Sequence, residues 1–275
     1  MQNKPLDGKV ALITGAGSPK GLGFHMTEAL IEAGARVAMM DVNKEWLEQS
    51  SNDLLERFGD DCLITIPLDV SDPHDADTAV MATIGAMGGL HILINNAGTN
   101  AHKWEAVGEN FWDITPEIWT KVLSINLNGP FLMARAATAH MGKQGWGRII
   151  GVTTSLDTMI RQKNTPYGPS KAGHEALMAA MAGELEGTGI TANVLVPGGR
   201  TNTNLLPDDP TDDRSGIIQP EVMRGPVVWL ASDESDGVNG RRIIAQNWDE
   251  SLPIDQRLEK ASGPTAWPQL GRQAV

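Results

Sequence analysis

TGAGSPKGLG, residues 14–23, follows directly on the apolar run VALI and places four glycines and a proline within ten residues. A tight turn between a strand and a helix N-terminus leaves free N–H groups and the positive helix end facing whatever lies beside it. Glycines there let the backbone approach a pyrophosphate closely and let the helix pack on the strand. From Gly17 the stretch reads G-x-x-x-G-x-G; from Gly15 the first gap is two residues longer than the usual dinucleotide pattern. That spacing leaves open whether Gly15 or Gly17 makes the tight turn, and what Ser18 and Pro19 touch. Eighteen residues after Gly23 comes Asp41, at the end of the next apolar run ARVAMMD. A carboxylate at that place can accept hydrogen bonds from an adenosine ribose.

Working outward, the pattern alternates. Short apolar runs at 9–14, 35–41, 63–70, 91–98, 148–154, 190–197 and 241–245 read as buried strands. Helical stretches fall at 22–34, 43–58, 116–141 and 166–187, and Ser71 reads as a further helix N-cap. The expected fold is α/β: a Rossmann-type doubly wound parallel sheet of about seven strands with helices on both faces. No repeat or linker divides the 275 residues, so a single domain, 1–275, is expected. Three segments interrupt the rhythm: 99–114, carrying Trp104, Phe111 and Trp112; 199–219, polar and proline-containing; and 246–275, an irregular tail. The first two follow strands and are candidate site walls or plain surface loops.

Composition narrows the partners. The 34 acidic against 22 basic residues give a net charge of -12, a surface that repels nucleic acid and anionic membranes. No apolar run approaches the roughly 18 residues of a membrane helix. A lone cysteine, Cys62, forms no internal disulfide, and MQNKPLDGK runs into the first strand without a signal-like segment. The expectation is a cytoplasmic protein. The histidines are scattered, with neither H-E-x-x-H nor a Cys-His cluster, so no metal is expected. A G-x-S-x-G elbow is also absent.

The ordered set TG…GLG, LDV at 68–70, NNAG at 95–98, Asn126, Y-x-x-x-K at 167–171 and PGG at 197–199 resembles the single-domain branch of the short-chain dehydrogenases/reductases. The resemblance covers about residues 7–245. It implies a nicotinamide dinucleotide bound by Gly15, Gly17, Ser18, Lys20, Gly21, Leu22 and Gly23 of the first loop. It further implies Asp69 and Val70 at the adenine edge, and Asn96, Ala97 and Gly98 along the cofactor's middle. Pro197, Gly198, Gly199 and Thr201 or Thr203 would meet the carboxamide, and residues 199–219 would form a substrate lid. Asp41 would repel a 2′-phosphate and favours NAD. Lys20, where NADP-preferring relatives often carry a basic residue, argues for NADP; the balance is NAD.

Tyr167 is the only tyrosine, and Lys171 lies four residues on, on the same helix face. A free phenol, with a pKa of about 10, is a poor base near neutral pH. A neighbouring ammonium favours phenolate, so the pair reads as an acid/base for an alcohol–carbonyl interconversion, and the resemblance adds that the lysine holds the nicotinamide ribose. The family's orienting serine lies thirteen residues before the tyrosine, which here is Thr154; Ser155 is one residue out of register. Neighbours in a strand point to opposite faces, so one of the two faces the site. Residue 130 is proline and has no N–H, which leaves the Asn126 carbonyl without its helical partner; in the family's proton relay it would hold a water.

The expectation is therefore an NAD(H)-linked oxidoreductase interconverting a secondary alcohol and a carbonyl on a small, partly apolar substrate, the apolar part resting on Trp104, Phe111 and Trp112. The rival readings are a non-catalytic NAD-binding sensor or scaffold and an NADPH-linked ketoacyl or carbonyl reductase. By resemblance, the helices at 116–141 and 166–187 pair across a two-fold axis in a homo-oligomer, a tetramer or dimer.

Overall fold

A computed structural model describes residues 4–103, 110–207 and 211–268. The first half winds β1 (Val10–Thr14), α1 (Leu22–Glu32), β2 (Arg36–Met40), α2 (Lys44–Phe58), β3 (Leu63–Ile66), α3 (Pro73–Met87) and β4 (Ile92–Asn95). The second adds α4 (Pro116–Leu123), α5 (Gly129–Gln144), β5 (Gly147–Val152), α6 (Leu156–Ile160), α7 (Tyr167–Glu184) and β6 (Ile190–Val196). It closes with α8 (Arg224–Ala231), β7 (Arg241–Ile244), α9 (Ile254–Ala261) and β8 (Ser262–Pro264).

The sheet runs β3-β2-β1-β4-β5-β6-β7-β8, parallel except for β8, which pairs antiparallel with β7. The order reverses between β1 and β4, and the glycine-rich loop leaves β1 at that switch point, where α/β sheets bind ligands. Alternate strand residues feed two separate cores. Ile13, Met39 and Ile94 pack with Leu30 of α1 and Leu230 of α8 on one face. Leu12, Met40 and Leu93 pack with Met133 of α5 and Met178 of α7 on the other. Strands buried on both faces read as continuous apolar runs, which is why the sequence showed them.

Four expectations are corrected. The sheet has eight strands, because the tail is not irregular: residues 254–264 form α9 and β8, with Arg241 Nη2 donating to Ser262 Oγ at 2.8 Å. Residues 269–275 of that tail lie outside the described residues. The N-cap of α3 is Asp72, not Ser71; its carboxylate accepts the N–H groups of His74 and Asp75. The expected helix at 116–141 is interrupted by a π-helical turn, Ser124–Asn128, after which α5 continues to Gln144. There the Gly129 N–H reaches back five residues to the Ser124 carbonyl, just ahead of the proline that cannot donate. Finally, the third strand stops at Ile66, so Asp69 and Val70 lie in the loop that follows it.

Candidate active site

Gly15 makes the tight turn after β1. Its φ is +64°, and a Cβ there would stand 2.7 Å from the Ala97 Cα. Gly17 serves the neighbouring strand end instead. Its N–H donates to Asp41 Oδ2 at 2.8 Å, and a Cβ would stand 2.9 Å from the Asp41 Cβ. Gly23 lies against the Gly15 carbonyl, 2.4 Å from where its Cβ would be. The two extra residues, Pro19 and Lys20, form the tip of a turn closed by the Gly21 N–H on the Ser18 carbonyl at 2.8 Å. Lys20 is exposed and does not line the cavity that this loop borders. α1 then starts at Leu22 with Gly21 as N-cap and no side-chain cap, so its leading N–H groups are left to face the loop.

Asp41 closes this end. Oδ2 takes the Gly17 N–H, and Oδ1 takes the Asn43 N–H at 2.9 Å. Burial raises its pKa, and these backbone hydrogen bonds oppose the rise. Asp69 stands at the same end, accepting the Ser71 N–H at 2.9 Å and facing Lys121 Nζ at 3.8 Å. Val70 packs on Gly129, where a Cβ would stand 2.9 Å from Val70 Cγ2. In the NNAG segment, Thr14 Oγ1 accepts the N–H groups of Asn96 and Ala97 at 3.1 and 3.0 Å. Asn96 Nδ2 donates to the carbonyls of Thr14 and Gly15, each at 2.9 Å. The Asn96 amide thus holds β4 against the glycine loop, while Ala97 and Gly98 line open space.

These groups bound one continuous cavity of about 710 Å³ that runs from Asp41 and Asp69 to Tyr167. Gly15, Ser18, Gly21, Leu22, Pro197, Gly199, Thr201 and Thr203 line it; Gly17, Gly23, Gly198 and Asn126 do not. A glycine cradle that added Cβ atoms would fill, a free helix N-terminus and a carboxylate at the end of β2 together fit a dinucleotide.

At the other end, Thr154 stands beside Tyr167, close enough for its hydroxyl to favour the phenolate. Ser155 does something else: it is the N-cap of α6, accepting the Thr158 N–H at 3.2 Å. Of the two hydroxyls the sequence offers, Thr154 is the one beside the phenol, and Ser155 is engaged in capping α6. Lys171 is buried and donates to the Val152 carbonyl at 2.9 Å. Burial lowers Lys171 to about 8 and raises Tyr167 to about 12, the Thr154 hydrogen bond opposing the latter. The expected lowering of Tyr167 by its lysine is therefore corrected, because desolvation of the phenolate is the larger effect. Asn126 is engaged through its side chain: the amide spans the Thr99 N–H and carbonyl, both at 2.8 Å, and reaches Ser170 Oγ at 2.9 Å.

The apolar wall is also corrected. Phe111 and Trp112 are 68% and 69% exposed, pack edge to face on each other, and do not line the cavity. Trp104 lies outside the described residues. The lining at the reaction end is mixed, with the polar Asn100, Thr158, Arg161 and Asn164 alongside Val152, Leu205 and Leu206. Residues 199–207 cover the cavity: Asn204 Nδ2 donates to Ser18 Oγ at 3.0 Å, and Asn100 Nδ2 donates to the Leu205 carbonyl at 2.9 Å. Positions 208–210 of the expected lid lie outside the described residues. No cluster of metal-ligating side chains occurs among the described residues, and none of their helices is long and apolar enough to cross a membrane. Sequence reading missed Arg161 and Asn164, and it missed Glu175 and Arg242, which hold the Thr153–Thr154 segment. The doubled arginine of RRIIA, placed in a buried strand, was the available signal.

Residues 9–213 match the family model described as short chain dehydrogenase. The chain is 31% identical over 253 residues to an L-rhamnose-1-dehydrogenase of Scheffersomyces stipitis, covering 87% of this chain and 95% of that one. It is 30% identical over 257 residues to a D-threitol dehydrogenase of Mycolicibacterium smegmatis, covering 87% and 92%. Among solved structures it superposes on a 3-ketoacyl-(acyl-carrier-protein) reductase from Brucella melitensis complexed with NADH, with a TM-score of 0.74, 27% identity, and coverage of 85% and 95%.

Proposed function

The chain is a member of the short-chain dehydrogenase family, and on that premise we propose that it is an NAD(H)-dependent oxidoreductase interconverting a secondary alcohol and a carbonyl on a small polar substrate. The observation that carries this reading is one cavity with a carboxylate, Asp41, at one end and Thr154, Tyr167 and Lys171 at the other.

Gly15, Gly21 and the first turn of α1 would hold the pyrophosphate, and Asp41 the adenosine ribose. Gly199, Thr201 and Thr203 would line the nicotinamide half. The bound dinucleotide supplies the hydride acceptor or donor. Tyr167 gives the proton to the substrate oxygen in reduction and takes it in oxidation. Thr154 orients that oxygen beside the phenol. Lys171, a cation below its pKa of about 8, favours the phenolate that oxidation requires. Asn126 braces the loop at Thr99 against Ser170 of the helix that carries Tyr167 and Lys171.

Relatives named for a sugar and a polyol, with Asn100, Thr158, Arg161 and Asn164 available within a mixed lining, support a substrate with further hydroxyl groups. Trp119 and Phe131 remain 38% and 49% exposed on α4 and α5, which supports assembly of copies through that face.

Fluorescence titration with NADH and NADPH, followed by turnover on a panel of polyols and sugars, tests the reading. Tight NADH, weak NADPH and a reversed preference in Asp41→Ala are expected. NADPH preference in the wild type would overturn the cofactor choice. Tight NADH without turnover on any alcohol would favour a sensor.

A further inference from the structure

We propose that Arg242 and Glu175, which touch neither end of the cavity, are positioning residues that set the Thr154 hydroxyl against Tyr167; this rests on the reading of Tyr167 as the acid/base. The need for such a device follows from the sheet. Val152, paired with Leu195, is the last residue of β5 held by strand pairing. Thr153 and Thr154 lie beyond it, before the N-cap Ser155 starts α6. Two residues between a strand and a short helix would have no fixed orientation unless something outside the ladder holds them.

Arg242 and Glu175 hold them. Arg242, on β7, donates through Nη2 to the Thr154 carbonyl at 2.6 Å. Its Nη1 pairs with Glu175 Oε2 and stands 3.4 Å from Thr153 Oγ1. The Thr153 hydroxyl in turn donates to Glu175 Oε2 at 2.8 Å. Glu175 is fully buried and sits one helical turn after Lys171 on α7, the helix that begins at Tyr167. One carboxylate therefore joins the helix carrying the acid/base to the segment carrying its hydrogen-bond partner, and the guanidinium closes the triangle.

The tail belongs to the same device. β8 pairs with β7 through Arg242 and Gly263, and the Ala266 N–H approaches Glu175 Oε1 at 3.4 Å. The tail thus covers the buried ion pair. A guanidinium presents two parallel donors in a fixed plane, whereas an ammonium cannot serve carboxylate and carbonyl in the same geometry.

The experiment compares Arg242→Lys with the double variant Arg242→Met/Glu175→Leu. A buried ion pair replaced as a unit by apolar side chains often keeps or gains stability, whereas a lone buried charge is costly. The double variant therefore separates folding from alignment. In both variants kcat should fall by about 10- to 100-fold, the scale of a small misplacement of reacting groups. The KM for NADH should stay within about threefold, since the cofactor cradle is untouched.

A second readout needs no turnover. Tyr167 is the only tyrosine, so ζ-13C-tyrosine labelling gives one resonance that reports the hydrogen bond at its oxygen. That resonance should move in Arg242→Lys in the direction seen for Thr154→Val. A stably folded double variant with wild-type kcat, or a Tyr167 resonance in Arg242→Lys identical to wild type, would overturn the proposal. If the wild type turns over no alcohol, the acid/base reading fails while the resonance still decides the alignment.

Discussion

At the glycine-loop end of the cavity the carboxylates Asp41 and Asp69 line the wall, each already accepting backbone N–H groups, with Lys121 facing Asp69. At the Tyr167 end the lining carries the cations Lys171, buried against the Val152 carbonyl, and Arg161, which has no partner among the described residues. The contrast lies in how the charges are held as well as in their sign. Asp41 is fixed by the loop it helps to shape, so its remaining lone pairs can read a neutral ribose diol and repel a phosphate. Lys171 is held by a single carbonyl and is heavily desolvated, so its charge is available to a phenolate that forms only during reaction. A chain with a net charge of -12 thus keeps two cations at the Tyr167 end of its cavity.

The comparison breaks most visibly at Tyr167. Tyr167→Phe should lower kcat by about 10²- to 10⁴-fold, the usual share of general acid–base catalysis, with NADH affinity little changed. A variant with near wild-type kcat would remove the proton-transfer role from the reaction end.

The next largest effect separates the two hydroxyls. Thr154→Val should cost about 10²-fold in kcat. Ser155→Ala should instead cost about 1 kcal/mol of stability, as the loss of an N-cap, with kcat nearly intact. Denaturant melts and steady-state kinetics on both variants decide it, and the reverse pattern would reassign the orienting group.

Gly17→Ala sharpens the adenosine end. Its Cβ would stand 2.9 Å from the Asp41 Cβ, so the carboxylate must shift. NADH affinity should drop by about tenfold, while the Tyr167 environment stays as it was. Calorimetric titration measures this, and an unchanged affinity would detach Asp41 from the ribose.

The pH dependence tests the desolvation of Lys171. Its pKa falls from 10.5 to about 8 in the fold, so between those values the unfolded chain holds a proton that the folded chain has lost. Stability should therefore rise as pH climbs through that window, relative to Lys171→Met. Tyr167, raised from 10.0 to about 12, pulls the other way above pH 10. Urea unfolding at a series of pH values checks the sign; a flat difference would mean that the ammonium is well solvated.

The smallest effect is at the mouth of the reaction end. Arg161→Gln should change KM by about two- to fivefold and leave kcat alone, because an exposed cation contributes on the order of 1 kcal/mol or less. A loss of kcat would place Arg161 at the reacting atoms.

Much of this was legible in the chain. Seven parallel strands appear as apolar runs because both of their faces are buried, and β1 through β4 could be marked from Val10 to Asn95 with small boundary errors. The glycines, Asp41 and the Tyr167–Lys171 spacing were readable because local geometry alone brings them together: a strand–turn–helix in one case, one helical turn in the other. β8 was not legible, since SGP at 262–264 carries no strand pattern and is extended only because β7 offers it an edge. Phe111 and Trp112 misled because aromatic content says nothing of direction; the Asn110-capped turn leaves both exposed.

By itself the sequence determined the doubly wound core, the place of the glycine-rich turn and the pairing of Tyr167 with Lys171 on one helix face, because each depends on patterns only a few residues long. Only the tertiary structure decided that Gly15 rather than Gly17 makes the turn, that Ser155 caps α6 while Thr154 lies beside Tyr167, and that Arg242 and Glu175 hold the Thr153–Thr154 segment. Those outcomes depend on contacts between residues up to 89 positions apart, Thr153 with Arg242 being one. The same holds for the proton affinities. Spacing places an ammonium near a phenol, but the burial that lowers one to about 8 and raises the other to about 12 exists only once the sheet and its helices have closed around them.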